Sequence, residues 1–95
     1  MPFEIEVTRE AESDLDRIRP FYRRQILDAL DLHLRHTPMR SSRARIKRLR
    51  SLESPDYRLR VGDFRVFYDV DETDQRVTVL RILSKAEALK YLEGR

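Results

Sequence analysis

Arg58, Arg60, Arg65 and Arg81 carry the chemistry that can be read first, because their spacing brings guanidinium groups together where a phosphate can be held. The runs Tyr57-Arg58-Leu59-Arg60-Val61 and Phe64-Arg65-Val66-Phe67-Tyr68 flank Gly62-Asp63, and glycine at the first central position suits a two-residue type II′ hairpin turn. That turn sets Arg60 opposite Arg65 and Arg58 opposite Phe67. Tyr57, Leu59, Val61, Val66 and Tyr68 then share the other face. Like charges directly opposite cost roughly 0.2–1 kcal/mol, so the pattern predicts a polyanion, most simply a phosphate backbone, as the missing partner. Arginine stays protonated: it can stabilise charge that develops in phosphoryl chemistry, but it is a poor proton shuttle. The competing reading is a solvated face whose arginines keep an edge soluble or pair with Asp69.

Other residues extend or limit this site. Arg40, Arg43, Arg45, Lys47, Arg48 and Arg50 form a basic tract suited to tracking a nucleic-acid backbone; a solvated loop or a dock for an acidic peptide fits the sequence equally well. Lys85 falls where a helix N-terminus disfavours a cation but welcomes an anion beside it. Tyr91 is placed either to stack on a base or assist proton transfer, or to pack in the core. Phe67 falls on the arginine face, available to stack a base or to be covered by another chain's helix. His33 and His36, without cysteine or carboxylate support, make no metal site, and the chain carries no phosphate-binding loop, catalytic triad or zinc motif.

The 95 residues predict one domain over 1–95 with a modest core. The net charge of +3 hides an uneven distribution: residues 40–65 hold 9 basic against 3 acidic side chains, while the flanking segments are slightly acidic. With no cysteine, no long apolar run and no leader-like segment, the sequence predicts a cytoplasmic protein without disulfides or a membrane association.

The elements that position these residues follow from periodicity. Phe3-Glu4-Ile5-Glu6-Val7 alternates as a strand. Thr8 reads as the N-cap of a helix with Ala11, Leu15 and Ile18 on its apolar stripe. Pro20 opens a second helix carrying Tyr22, Ile26, Leu27, Leu30 and Leu34, which Thr37-Pro38 ends. The segment Arg43–Arg50 is expected to be partly extended, with a loop over Ser51–Asp56. After the hairpin, a five-residue turn at Asp71–Gln75 leads to a last strand, Arg76–Leu83. That loop length sets Val66 opposite Leu80 and Arg65 opposite Arg81, aligning Arg81 with Arg60 and Arg65. Ser84-Lys85-Ala86-Glu87 has capping-box spacing for a short helix toward Gly94. The predicted fold is α+β, ordered β-α-α-β-β-β-α, with a helical hairpin on one face of a mainly antiparallel four-stranded sheet.

Lys47-Arg48-Leu49-Arg50, the hairpin through Val70, the strand Val77–Leu83 and Ser84-Lys85 together resemble the RelE/ParE superfamily of type II toxin–antitoxin toxins, closer to the RelE-like mRNA interferases. The resemblance implies a RelE-like microbial RNase fold and a cytoplasmic toxin neutralised by a cognate antitoxin, with operator DNA reached only through that antitoxin. It further implies metal-independent endoribonuclease action, without cofactor, on mRNA in the ribosomal A site, the 2′-hydroxyl attacking the adjacent phosphate. Arg58 and Arg60 match the family's basic pair of the second strand, and Arg65 the arginine after the hairpin. Ala86 stands where RelE-like nucleases carry a further arginine, and Tyr91 lies about one residue from the expected tyrosine. General acid–base help typically contributes ~10²–10⁴-fold, so Lys85 and Tyr91 are the candidates to supply it. On this reading Arg65 and Arg60 stabilise the phosphate and Arg58 positions substrate; the strand register, not the resemblance, adds Arg81 as an RNA contact, and the residue pattern adds Phe67, Arg45, Lys47, Arg48 and Arg50. The alternatives are a ParE-like DNA gyrase inhibitor and a non-catalytic RNA- or antitoxin-binding module.

Overall fold

A computed structural model describes residues 2–50 and 53–94; Ser51 and Leu52 of the expected loop lie outside them. Its elements are β1 (Glu4–Val7), α1 (Arg9–Asp16), α2 (Pro20–Leu34), β2 (Ile46–Arg48), β3 (Tyr57–Val61), β4 (Phe64–Asp71), β5 (Arg76–Ser84) and α3 (Lys85–Glu93). The sheet order is β1-β5-β4-β3-β2, with β1 parallel to β5 and the other pairs antiparallel. The α+β class and element order match the expectation, but the sheet has five strands. The additional one, β2, is only three residues long and pairs with β3, too short a run for alternation to announce it.

Local chemistry fixes the helices as expected. The Thr8 hydroxyl accepts from the Ala11 amide at 3.2 Å and donates to the Leu80 carbonyl at 3.0 Å, capping α1 and tying it to β5. Arg23 donates to the Leu15 carbonyl in the last turn of α1 and to the Ile18 carbonyl in the connection that follows, bracing the turn into α2. Ser84 and Glu87 form the reciprocal capping box of α3. One face of the sheet is covered by α1 and α2, whose Ala11, Leu15, Ile26, Leu30 and Leu34 pack on Leu59, Val66, Tyr68, Val77, Val79 and Ile82. On this face Tyr57 and Tyr68 stack with ring centroids 5.5 Å apart.

The first hairpin has the expected register, Arg60 opposite Arg65 and Arg58 opposite Phe67, with Gly62 at φ +56° and no positive φ at Asp63, as a II′-type turn requires. The second hairpin does not. Asp71 pairs with Arg76, leaving a four-residue connection in which Gln75 sits at φ +50°. A bulge between Phe67 and Tyr68 then leaves Leu80 as an extra residue on β5. Each change moves the register by one residue, so Val66 meets Ile82 and Arg65 meets Leu83, and Arg81 lies opposite Phe67 rather than Arg65. The two shifts together preserve facing, which keeps Val66 and Ile82 in the core.

Candidate nucleic-acid interface

The face of the sheet away from α1 and α2 divides into an apolar half and a cationic half. Phe67, Leu83 and Ala88 form a second small core, with Leu49 and Tyr91 packed against it, so α3 lies over the β4–β5 end of this face. The Phe67 ring is fully buried, its centroid 4.9 Å from that of Tyr91. Base stacking on Phe67 is therefore corrected: the chain's own third helix occupies that place. Tyr91 lies with its ring 5.8 Å from the Arg81 guanidinium carbon.

Arg58, Arg60 and Arg65 occupy the other half, and among the described residues none of the three forms an ion pair. Arg65 is only 7% exposed, its Nη1 donating to the Gly62 and Phe64 carbonyls at 2.9 Å each, which fixes the guanidinium against the turn. Burial, then Arg60 and Arg58, push its pKa down, while Asp63 opposes them. Arg58 is likewise pushed down by burial and by Arg60, and its Nε is buried without a hydrogen-bond partner. The opposing reading, in which Asp69 neutralises the arginines, fails on geometry. The Asp69 carboxylate accepts from the Ser54 hydroxyl and from the Asp56 amide at 2.8 Å, pinning the loop before β3.

Lys85 is exposed at the start of α3, and its amide donates to the Asp63 carbonyl at 2.9 Å. The helix thus begins against the same turn that holds Arg65. Arg65, with Arg60 and Arg58 close enough to perturb it, can concentrate positive charge on a bound phosphate.

Arg81 departs from the expectation. It is held by Asp14, Nε to Oδ2 at 2.8 Å and Nη2 to Oδ1 at 3.0 Å, and these hydrogen bonds raise its pKa. Already neutralised inside the fold, it is corrected from RNA contact to a structural cation. Asp14 was missed by the sequence reading, although a signal existed: it lies three residues after Ala11 and four before Ile18, on the apolar stripe of α1. A carboxylate there, 2% exposed, requires a cation.

The basic tract is also divided. Lys47 pairs with Arg58 across β2 and β3 on the cationic face. Arg48 turns to the opposite side, its Nη1 donating to the Tyr57 hydroxyl at 3.2 Å and its guanidinium lying 5.6 Å from that ring. Arg45 is exposed and acts with burial to lower the pKa of His33. Arg50 is exposed beside Lys47 in a shared groove. Among the described residues no cluster of three or more His, Cys, Asp or Glu forms a metal site, and no helix is long and apolar enough to cross a membrane.

Residues 5–89, covering nearly all of this architecture, match the family model described as the ParE toxin of the type II toxin–antitoxin system parDE. The chain belongs to the ParE toxin family. Its fold recurs in the RelE–RelB complex of Pyrococcus horikoshii, with 23% identity, 90% of this chain and 97% of that chain covered, and a TM-score of 0.74. A doubly substituted RelE toxin of Escherichia coli in the free state shares 21% identity over 98% of this chain and 93% of its own, with a TM-score of 0.73. The RelBE2 toxin–antitoxin complex of Mycobacterium tuberculosis gives 24% identity, 88% and 99% coverage, and a TM-score of 0.72. At these identities the likeness is one of fold. No curated protein sequence matches the chain. This ParE-family toxin therefore carries the RelE-like fold with an arginine cluster beside its third helix.

Proposed function

We propose that this toxin inhibits translation by cutting mRNA on the ribosome, with Arg58, Arg60 and Arg65 binding the backbone around the scissile phosphate. The observation that carries the reading is the convergence of these three guanidinium groups, with no carboxylate ion-paired to them among the described residues. Arg65, pinned by two carbonyls, is suited to stabilise charge developing on the phosphate, since a preorganised donor needs no rearrangement during reaction. Arg60, exposed opposite it, shares that role, and Arg58 positions the substrate. Lys85 is the candidate to protonate the departing oxygen, and Tyr91 a weaker one because its ring is engaged by Phe67 and Arg81. The reaction so framed is transesterification: the substrate's 2′-oxygen bonds to the adjacent phosphorus and gives its proton to solvent water, the P–O5′ bond breaks, and Lys85 protonates the departing 5′-oxygen while the arginines stabilise the phosphate charge, leaving a 2′,3′-cyclic phosphate.

A cognate antitoxin would cover apolar surface and mask part of the cationic face. The RelE-fold toxins of Pyrococcus horikoshii and Mycobacterium tuberculosis occur in complexes with antitoxins. A second reading, inhibition of DNA gyrase, is favoured by the ParE family match and by Ala86 at the position of a nuclease arginine. Toeprinting of a translated message after induction tests the choice. A-site cuts that fall about 10²–10³-fold with Arg65→Ala support the nuclease. Intact message with arrested supercoiling supports the gyrase reading instead.

A further inference from the structure

We propose that the groove along β2 is a second phosphate subsite for single-stranded RNA, set by Lys47 and Arg58 and continuous with the Arg58–Arg60–Arg65 cluster. The groove has a volume of about 730 Å³ and is lined by Arg43, Lys47, Arg48, Arg50 and Arg58 with Ser41, Ser42 and Ile46; among the described residues no carboxylate lines it. Lys47 and Arg58 are cross-strand partners, so their side chains leave the sheet on the same face. Arg58 therefore belongs to both places: it borders the groove and neighbours Arg60.

Spacing favours a polymer over a lone anion. Alternate residues of β3 repeat at roughly 6.6 Å and adjacent strands lie roughly 4.8 Å apart, so Arg60, Arg58 and Lys47 form a stepped row of cations. A chain with one charge per unit can engage every step; a single phosphate cannot.

The backbone of β2 argues against an added peptide strand. Ile46 donates its amide to the Ser42 hydroxyl at 3.3 Å, and its carbonyl accepts from the Ser42 amide at 2.9 Å. This local turn occupies the outward polar groups at the start of a three-residue edge, leaving little ladder for strand addition. Side-chain charge is what the surface offers. Arg48 and Arg45 contribute less, one engaged with Tyr57 and the other set beside His33.

The subsite shares with the proposed nuclease reading the placement of RNA on this face. Its test is fluorescence anisotropy of the full chain with 2′-O-methylated oligouridylates, a trimer and a heptamer, across a salt series, alongside ribosomal toeprinting of each variant. Each phosphate contact to a single strand contributes about 0.7 to the slope of log affinity against log salt. Lys47→Ala should lower the heptamer slope by about that amount and leave the trimer unchanged, whereas Arg60→Ala lowers both. An unchanged heptamer slope, or an equal fall for the trimer, overturns the subsite. So does Lys47→Glu weakening a hexaglutamate peptide while sparing the heptamer, which assigns the groove to an acidic protein segment. If the wild-type toxin cuts no A-site mRNA but the Lys47 slope change persists, the nuclease reading falls and the subsite stands. If cutting is present and the slope does not move, the subsite alone falls.

Discussion

Asp14 and Arg81 lie 67 residues apart in the chain and meet in a two-point pair that closes the open side of β5 beyond the last residue of β1. The same carboxylate accepts from the Ile82 amide at 2.9 Å and from Arg17 Nη2 at 2.7 Å. Asp14 thus occupies an edge donor that could otherwise recruit another strand, and it anchors α1 to the sheet. Asp14→Ala strands the Ile82 amide and leaves Arg81 without its counter-charge, so a loss of about 2–4 kcal/mol is expected in urea unfolding. Arg81→Ala should cost less, because that side chain is 32% exposed and its removal leaves Arg17 beside Asp14. Equal costs for the two would show that the acid acts only through Arg81.

Arg60 opposes stability, a cost set against the RNA contact proposed for it. It faces Arg65 across the hairpin and depresses the pKa of both Arg65 and Arg58. Arg60→Thr is expected to stabilise the fold by about 0.2–1 kcal/mol while weakening RNA binding and toxicity. The wild type should also gain more stability with added salt than the variant does, since salt screens the repulsion. Urea midpoints at low and high salt, set beside growth after induction, provide the check.

Gly62→Ala separates backbone strain from packing. An added Cβ at Gly62 meets nothing within 4 Å, so the cost comes from φ +56° alone. A loss of roughly 1 kcal/mol is expected, and replacement by Asn should recover part of it, because Asn tolerates this conformation. Thermal unfolding of both variants measures the difference. A larger loss for Asn than for Ala would indicate that the turn needs the bare backbone for another reason.

These features were unequally legible in the sequence. The first hairpin could be read because one glycine fixes the turn and Arg58, Arg60 and Arg65 alternate with apolar residues on both strands. The second could not, since Val79, Leu80, Ile82 and Leu83 are all apolar and alternation does not choose which of them face inward. The bulge at Leu80 uses that ambiguity and carries Arg81 away from the cluster. Phe67 looked available for a base because a strand pattern does not reveal what covers its second face. Leu83, Ala88 and Tyr91 supply that cover from distant sequence. Asp14 was visible as an exception on an apolar stripe, but its partner became evident only once α1 and β5 lay side by side.

Tyr68 is expected to set an alkaline limit on the fold. Its hydroxyl is buried and donates to the Pro38 carbonyl at 2.5 Å, joining β4 to the segment after α2. Burial, and secondarily Tyr57, push its pKa well above the ordinary tyrosine value. The native state therefore keeps the phenol proton after the unfolded chain has released it. Its contribution is fully present below about pH 10 and declines as pH rises from there toward the higher native pKa. Tyr68→Phe removes both the hydrogen bond and this titration: about 1–2 kcal/mol should be lost at neutral pH, and the fall in stability above pH 10 should become shallower. Urea unfolding across the alkaline range tests both parts, and an equally steep alkaline decline in the variant would assign that limit to another group.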